Sequence, residues 1–300
     1  MAGHIRSWLT LFTLVCIAFI ATLATPCRAD EPQVFTFRPP GTTTDHRFDY
    51  EIELLRLVLD TTLAEYGPYQ LRPGFTMNLP RAMAIARGDS LDNLVLKTSY
   101  SKALADEFYY AAFPIDRGIF SYRICFVNDA KVKAVSEADT LEKIRQFTIG
   151  QGVGWLDVSI LQHNGFTVAE TPKYENLFPM VAAGRVDLVC RGLSEIQPEW
   201  DNFRDLGGFS VDRSFALYYP LPRFMWIHKS RPQAFNRIRR GLEIVYNDGS
   251  ARELWEKHYR KKLDFVSLKN RRIFMLTNPF LEDISEEYKP YFLTRPAIEN

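Results

Sequence analysis

Two hydroxyl side chains follow an apolar run early in the sequence and could contact a small molecule. Thr98 and Ser99 come directly after the extended run from Asn93 to Lys97. Hydroxyl groups donate and accept hydrogen bonds, and open α/β sheets bind ligands at the carboxyl ends of their strands. The same residue types also serve in turns and helix caps. The position therefore predicts either ligand contact or a local capping role.

Cationic side chains occupy equivalent places after other predicted strands. Arg191 follows the apolar run Val186–Cys190, and Arg38 follows the first predicted strand. A guanidinium group can bind a carboxylate or phosphate through two parallel hydrogen bonds. Glu195, four residues after Arg191, offers an ion pair as the alternative. Tyr219, in a later extended stretch, is a further candidate for ligand contact.

A glycine-rich loop follows a third predicted strand. Gly150–Gly154 precedes a helix, so its backbone N–H groups could meet an anion at the helix N-terminus. The spacing is not that of a dinucleotide-binding loop. Gln151, Gly152 and Trp155 are candidates for ligand contact, with support of the loop and packing of the ring as the alternative roles.

The sequence gives little support to catalysis, a metal ion or a cofactor. It has no Gly-x-Ser-x-Gly, His-Glu-x-x-His or Cys-x-x-Cys motif. The histidines that follow the leader are scattered, without the spacing of metal ligands. We therefore expect no catalytic residue, no metal site and no cofactor.

Alternating strand and helix patterns must position these side chains. Helical spacing of apolar residues predicts helices at 50–65, 79–87, 156–163, 174–183, 233–247 and 251–261. Extended runs predict strands at 33–37, 69–72, 93–97, 119–127, 147–150, 167–168, 186–190, 214–219 and 224–228. Strands that alternate with helices indicate mainly parallel sheets covered by helices.

The order of these elements predicts an α/β protein with two lobes. The first lobe is expected to comprise residues 30–118 and 220–300, and the second lobe residues 119–219. Each lobe would be a mixed, mainly parallel sheet flanked by helices. Extended stretches near 117–123 and 212–221 are the candidate crossings, and a cleft would lie between the lobes.

Residues 1–29 have the pattern of a secretory signal peptide. A basic start is followed by an apolar run from Trp8 to Ala24 and by small residues suited to cleavage before Asp30. We expect export and a periplasmic location. Cleavage would leave Cys125 and Cys190, which could form one disulfide bond or remain buried free thiols.

Composition excludes several classes of protein. The 300 residues include 37 Lys plus Arg and 36 Asp plus Glu, so the chain lacks the basic excess of nucleic-acid-binding proteins. Hydrophobic residues make up 46% and charged residues 24%, which is typical of a globular protein and not of a disordered one. We expect a monomer that binds no nucleic acid.

Several segments of the sequence occur in a characteristic order. They are Thr98-Ser99-Tyr100-Ser101 before Phe113-Pro114-Ile115, the turn Gly150-Gln151-Gly152, the helix from Tyr174 with Gly184-Arg185-Val186-Asp187-Leu188 after it, and Asn247-Asp248-Gly249 before a helix with Trp255 and Tyr259. In this order they resemble the type II periplasmic solute-binding proteins of family 3, which serve ABC importers. The similarity covers most of the chain after the leader. It indicates a divergent branch of that family.

Two positions depart from the amino-acid binders of that family. The arginine that usually follows the threonine-serine loop and holds the ligand's carboxylate is replaced by Lys102. Arg191 stands where those binders commonly place an acid that holds the ammonium group. An anionic or neutral polar ligand is therefore as consistent with the sequence as an amino acid.

The resemblance implies a protein that captures a small polar solute between two lobes and delivers it to an ABC permease. A partner sensor kinase is an alternative, as is a lyase or dehydratase on the same fold. A third alternative is an interaction protein, for which residues 263–300 could be the docking surface.

Overall fold

The structure, a computed structural model, describes residues 31–40 and 48–293. The predicted signal peptide, 1–29, lies outside these residues. The helices are α1 (Asp49–Asp60), α2 (Leu63–Tyr66), α3 (Leu79–Arg87), α4 (Lys102–Glu107), α5 (Val132–Glu137), α6 (Leu141–Ile144), α7 (Leu156–His163), α8 (Leu177–Ala182), α9 (Leu193–Phe203), α10 (Pro232–Asn247) and α11 (Ser250–Val266). The strands are β1 (Gln33–Phe37), β2 (Tyr69–Pro73), β3 (Leu94–Ser99), β4 (Phe108–Tyr110), β5 (Tyr122–Asn128), β6 (Ile149–Gly152), β7 (Val168–Thr171), β8 (Leu188–Gly192), β9 (Phe209–Val211), β10 (Phe215–Tyr218), β11 (Arg223–His228) and β12 (Arg272–Met275).

The first sheet has the strand order β2-β1-β3-β11-β4. Strands β2, β1 and β3 run parallel, and β11 runs antiparallel to both of its neighbours. Helices α1 and α10 pack together beside this sheet through the apolar faces that the sequence predicts. Gly241 allows their close approach, because a Cβ atom there would overlap the carbonyl oxygen of Val58.

The second sheet has the order β12-β10-β5-β8-β6-β7, and β9 also pairs with β5. Strand β5 is antiparallel to β8, β9 and β10, whereas β8, β6 and β7 run parallel. We call each sheet with the helices packed on it a lobe. Strand β12 pairs in parallel with β10 of the second sheet. The predicted assignment of all residues from 220 to 300 to the first lobe is therefore wrong for β12.

The chain passes between the sheets several times. Residues 111–121 connect β4 to β5, and residues 219–222 connect β10 to β11. The second crossing is shorter than the predicted stretch 212–221, because residues 215–218 form β10 and pair within the second sheet. Helix α11 then contacts both α1 of the first lobe and α9, which packs on β5 and β8.

The C-terminal segment, residues 267–293, contacts both lobes. Thr277 exchanges hydrogen bonds with Asn164, and the Asn278 amide donates to the carbonyl oxygen of Pro220. Farther along, the Tyr100 hydroxyl of the first lobe donates to the carbonyl oxygen of Glu282. Finally, Leu293 N–H donates to the carbonyl oxygen of Arg117 in the first crossing.

The two cysteines form a disulfide bond in the second sheet. Cys125 of β5 and Cys190 of β8 are directly paired in register, and both are buried. This resolves the choice that the sequence leaves open. In the described part of the chain, no helix has the length and apolar composition needed to cross a membrane.

Candidate functional site

A cleft with a free volume of about 170 Å³ lies between the two sheets. The first lobe lines it with the ends of β1 and β3, and the second lobe with α9, the end of β8 and the start of α7. Both crossings and helix α11 complete the wall. Strand ends from both sheets therefore face one space, as the predicted architecture requires.

Most of the predicted site residues line this cleft. They are Arg38, Thr98, Ser99, Trp155 and Arg191. In the described part of the chain, the hydroxyls of Thr98, Ser99, Ser194 and Tyr259 and the amide of Asn202 make no side-chain hydrogen bond. These neutral polar groups, which face an open cavity, are available to a ligand.

Gln151, Gly152 and Tyr219 do not reach the cleft lining. Gln151 is fully buried, because β6 extends through Gly152 and the Gln151 amide donates to the carbonyl oxygen of Cys190 in β8. Gly152 lies beneath the Trp155 ring, since a Cβ atom there would be 2.5 Å from that ring. Tyr219 is also fully buried. These three residues lie behind the side chains that line the cleft.

Arg191 forms ion pairs with two carboxylates of α9. Its Nε donates to both carboxylate oxygens of Glu199, at 2.9 and 3.0 Å, and its Nη2 donates to Glu195 at 2.5 Å. The guanidinium carbon lies 4.5 Å from the centre of the Trp155 ring. Burial acts to lower the pKa of Arg191, but the two carboxylates outweigh burial and raise this pKa above its ordinary value. Of the two roles that the sequence allows, the structure contains the ion pair.

A second buried arginine joins the crossings to α7. Arg123 contacts Asp157 at 2.6 Å and donates from Nε to the Tyr219 hydroxyl at 3.0 Å. That hydroxyl donates to Asp157 at 2.5 Å, so the three side chains form a closed group. Burial acts to lower the pKa of Arg123, but the Asp157 carboxylate and other acidic groups raise it overall.

Lys97 and Arg223 lie over the ring of Phe120 in the floor of the cleft. The Arg223 guanidinium carbon is 4.1 Å from the ring centre and its Nη1 is 3.6 Å from Asp116. Lys97 forms an ion pair with Glu51. Burial, together with the charge of Arg223, lowers the pKa of Lys97 well below its ordinary value. Burial also raises the pKa of Asp116.

The charges around the cleft are unequally available to a ligand. The acidic groups Asp157, Glu195 and Glu199 each contact a buried guanidinium group. By contrast, Lys262 lines the cleft and makes no ion pair with any residue that the structure describes. Burial lowers its pKa. A ligand cation would have to compete with these arginines, whereas a ligand anion meets an ammonium group.

Sequence reasoning missed α9, which contributes Ser194, Glu195, Glu199 and Asn202 to the cleft. The sequence did contain a signal for the start of this helix. Glu195 is an acidic residue in the first helical turn, and its carboxylate accepts a hydrogen bond from the N–H of Gly192, as is common at helix N-termini.

Lys102, the expected substitute for a ligand-binding arginine, instead pairs with Asp283 at 2.9 Å and is half-exposed. No group of three His, Cys, Asp or Glu side chains suited to a metal ion occurs among the described residues.

The lobes touch where the loop after β6 meets the start of α3. A Cβ atom at Gly154 would be 2.6 Å from Cγ of Pro80, and Gly154 has a φ of +77°, which favours glycine. We expect Gly154→Ala to hinder this contact and to weaken solute binding by about 10- to 100-fold, the equivalent of 1 to 3 kcal/mol of overpacking. Calorimetric titration of the solute measures this effect.

The matched control is the double variant with Pro80→Gly, which removes the overlapping ring. It should recover most of the affinity if the overlap is the cause. A Gly154→Ala affinity equal to that of the unchanged protein would show that this contact has no part in binding.

The chain matches no protein-family model and no curated protein. Solved structures are similar to it. An ancestral arginine-binding protein bound to arginine has a TM-score of 0.56 and 13% identity, with 77% of this chain and 99% of that chain covered. A histidine kinase sensor domain with similarity to periplasmic binding proteins has a TM-score of 0.54 and 17% identity over 77% and 96%. The GluR0 ligand-binding core from Nostoc punctiforme, in complex with L-glutamate, has a TM-score of 0.54 and 12% identity over 76% and 99%.

These similarities establish the fold. The chain has the two-lobed, type II periplasmic-binding-protein-like fold, so the fold class predicted from the sequence is confirmed. The predicted resemblance to family 3 binding proteins is likewise confirmed at the level of structure. These similar structures are an arginine-binding protein, a sensor domain of a histidine kinase and a ligand-binding core.

Proposed function

We propose that this protein is an extracytoplasmic binding protein that captures a small anionic polar solute in the cleft and delivers it to an ABC importer. The observation that carries the proposal is that the acidic groups of the cleft are already in ion pairs, whereas one of its basic groups is not. Its acids are held by buried arginines, whereas Lys262, whose ammonium lies 5.5 Å from the centre of the Tyr259 ring, forms no ion pair with the described residues, and several hydroxyl groups form no side-chain hydrogen bond with them. The Cys125–Cys190 disulfide supports an oxidising compartment.

The choice of an anion follows from the cost of competing for a buried acid. Arg191 and Arg123 already form ion pairs with carboxylates of the cleft. A ligand ammonium that bound one of these carboxylates would displace the arginine and leave a buried guanidinium group without its partner. A ligand carboxylate or phosphate could instead form an ion pair with the partly buried ammonium group of Lys262. The Thr98 and Ser99 hydroxyls could donate to the same anion.

The purified protein, screened by thermal shift against amino acids, carboxylates and phosphates, tests this proposal. A solute that binds only the folded state raises the melting temperature by mass action. We expect a stabilising solute that carries a negative charge and is recovered unchanged. Chemical conversion of the solute would favour the lyase alternative, and the absence of any stabilising solute would contradict a binding function.

Lys262→Met is the site-directed test, with Lys261→Met, an exposed neighbour on the same helix, as its control. We expect the first variant to bind the anion about 10- to 100-fold more weakly, the loss of one charge-assisted hydrogen bond, and the second to bind as before. The affinity for the anion should fall as the pH rises, because Lys262 loses its proton and its positive charge. Since the pKa of Lys262 is lowered, this loss of affinity should occur below the ordinary lysine pKa of 10.5. Equal affinities in the two variants would contradict an anion contact at Lys262.

Delivery to an importer is tested in cells that lack the protein. Importer function requires loss of uptake of the labelled solute. Retained uptake combined with a lost transcriptional response would instead support sensing through a kinase.

A further inference from the structure

A second, much smaller cavity of about 40 Å³ adjoins the cleft in the first lobe. We call it the side chamber. It lies between α1 and the first sheet. Four residues line both spaces: Arg38, Phe48, Leu79 and Lys97. The polar cleft and the side chamber therefore share a wall formed by two cations and two apolar side chains.

The rest of the chamber wall is almost entirely apolar. Its members are Phe37, Ile52, Leu55, Val95, Leu96 and Met225, together with Glu51. The Glu51 carboxylate is paired with Lys97, so its charge is already compensated. Protein interiors are close-packed, and unfilled apolar space carries a cost in stability. An apolar space beside a polar cleft is the arrangement that ligand sites use to hold the hydrocarbon part of a small molecule.

The two cations at the boundary are held in place by groups of the protein. Arg38 donates from Nε to the carbonyl oxygen of Met77 at 2.7 Å, and its guanidinium carbon lies 5.0 Å from the centre of the Phe48 ring. Lys97 is held by Glu51. A ligand that extends from the cleft into the side chamber passes the Arg38 guanidinium and the Phe48 ring, which line both spaces, while its anionic group remains in the polar cleft.

We infer that the solute is amphipathic: a carboxylate or similar small anion in the cleft, joined to a short aliphatic group that occupies the side chamber. This inference rests on the proposed function and specifies its substrate class. The hydrocarbon group contributes affinity by leaving water, and the anionic group fixes its orientation.

Titration with straight-chain carboxylates, from acetate to octanoate, tests the inference. Each methylene that enters the side chamber should raise the affinity by about fourfold, until the chamber is full. Ile52→Trp places a large ring in the chamber and should abolish the dependence on chain length, so that octanoate binds no more tightly than acetate. Arg56→Trp puts the same residue on the exposed side of α1 and should behave like the unchanged protein.

Ile52→Ala provides a second variant in case the tryptophan prevents folding. It enlarges the chamber, so the preferred chain length should increase. The inference fails if carboxylate affinity does not depend on chain length. It also fails if a different solute from the screen binds equally well with and without Ile52→Trp. In both cases binding in the cleft would stand, whereas the absence of any binding solute would contradict the proposed function itself.

Discussion

Arg191→Met should destabilise the protein by about 3 to 5 kcal/mol, the cost of breaking a buried ion pair by removal of one partner. The variant would leave Glu195 and Glu199 close together without the guanidinium that both now contact. Two neighbouring buried carboxylates cannot both stay ionised, so at least one should gain a proton near neutral pH. Urea unfolding measures the loss, and Arg185→Met, an exposed arginine before β8, is the matched control.

The variant Arg191→Met/Glu195→Gln/Glu199→Met separates the charge from the shape of this cluster. Replacing all members of a buried ionic group by residues of similar volume is often close to neutral, so this protein should recover most of the lost stability. An Arg191→Met protein that is as stable as the unchanged one but binds no anion would restore the ligand-clamp role that the sequence also allows.

Loss of the disulfide should have the next largest effect. Cys125→Ala/Cys190→Ala removes a covalent link across a sequence separation of 65 residues. We expect a loss of about 2 to 4 kcal/mol in the free energy of unfolding, because the link restricts the unfolded chain. Urea unfolding without a reducing agent measures it.

The reductant dependence supplies the control for this second variant. In dithiothreitol, the urea midpoint of the unchanged protein should approach the midpoint of the double alanine variant. The midpoint of the variant itself should not change when the reductant is added. Identical midpoints for the two proteins without reductant would show that the disulfide adds nothing to stability.

Elements with a clear pattern were predictable from the sequence. The bounds of α3 and α7 agree with the predicted 79–87 and 156–163, because each ends at a strong helix stop, Gly88 and Asn164-Gly165. The predicted helix 50–65 is divided into α1 and α2 at Thr61 and Thr62. Their hydroxyls bond to carbonyl oxygens of the preceding turn, which competes with continued helix.

Helix α9 was not predictable from apolar periodicity, because carboxylates occupy part of its buried face. Glu199 is 2% exposed, yet a sequence pattern counts it as a surface residue. Pro198 within the helix is a further signal against it. The short edge strand β12 gives little pattern of any kind, since its residues are exposed or only partly buried.

The site was partly predictable because strand ends face the cleft. That rule places Thr98, Ser99 and Arg191 correctly at the wall. It fails for Gln151, which also lies at the end of its strand but is fully buried and donates to the carbonyl oxygen of Cys190 in the neighbouring strand. The partners of Arg191 and the side chamber depend on packing between distant elements, which local patterns do not contain.

The C-terminal segment adds further links between the two lobes beyond the two crossings. Residues 277 and 278 bond to the second lobe or its crossing, and residues 282 and 293 bond to the first lobe and its crossing. The lobes can move fully apart only if these hydrogen bonds break, so the segment opposes opening of the cleft.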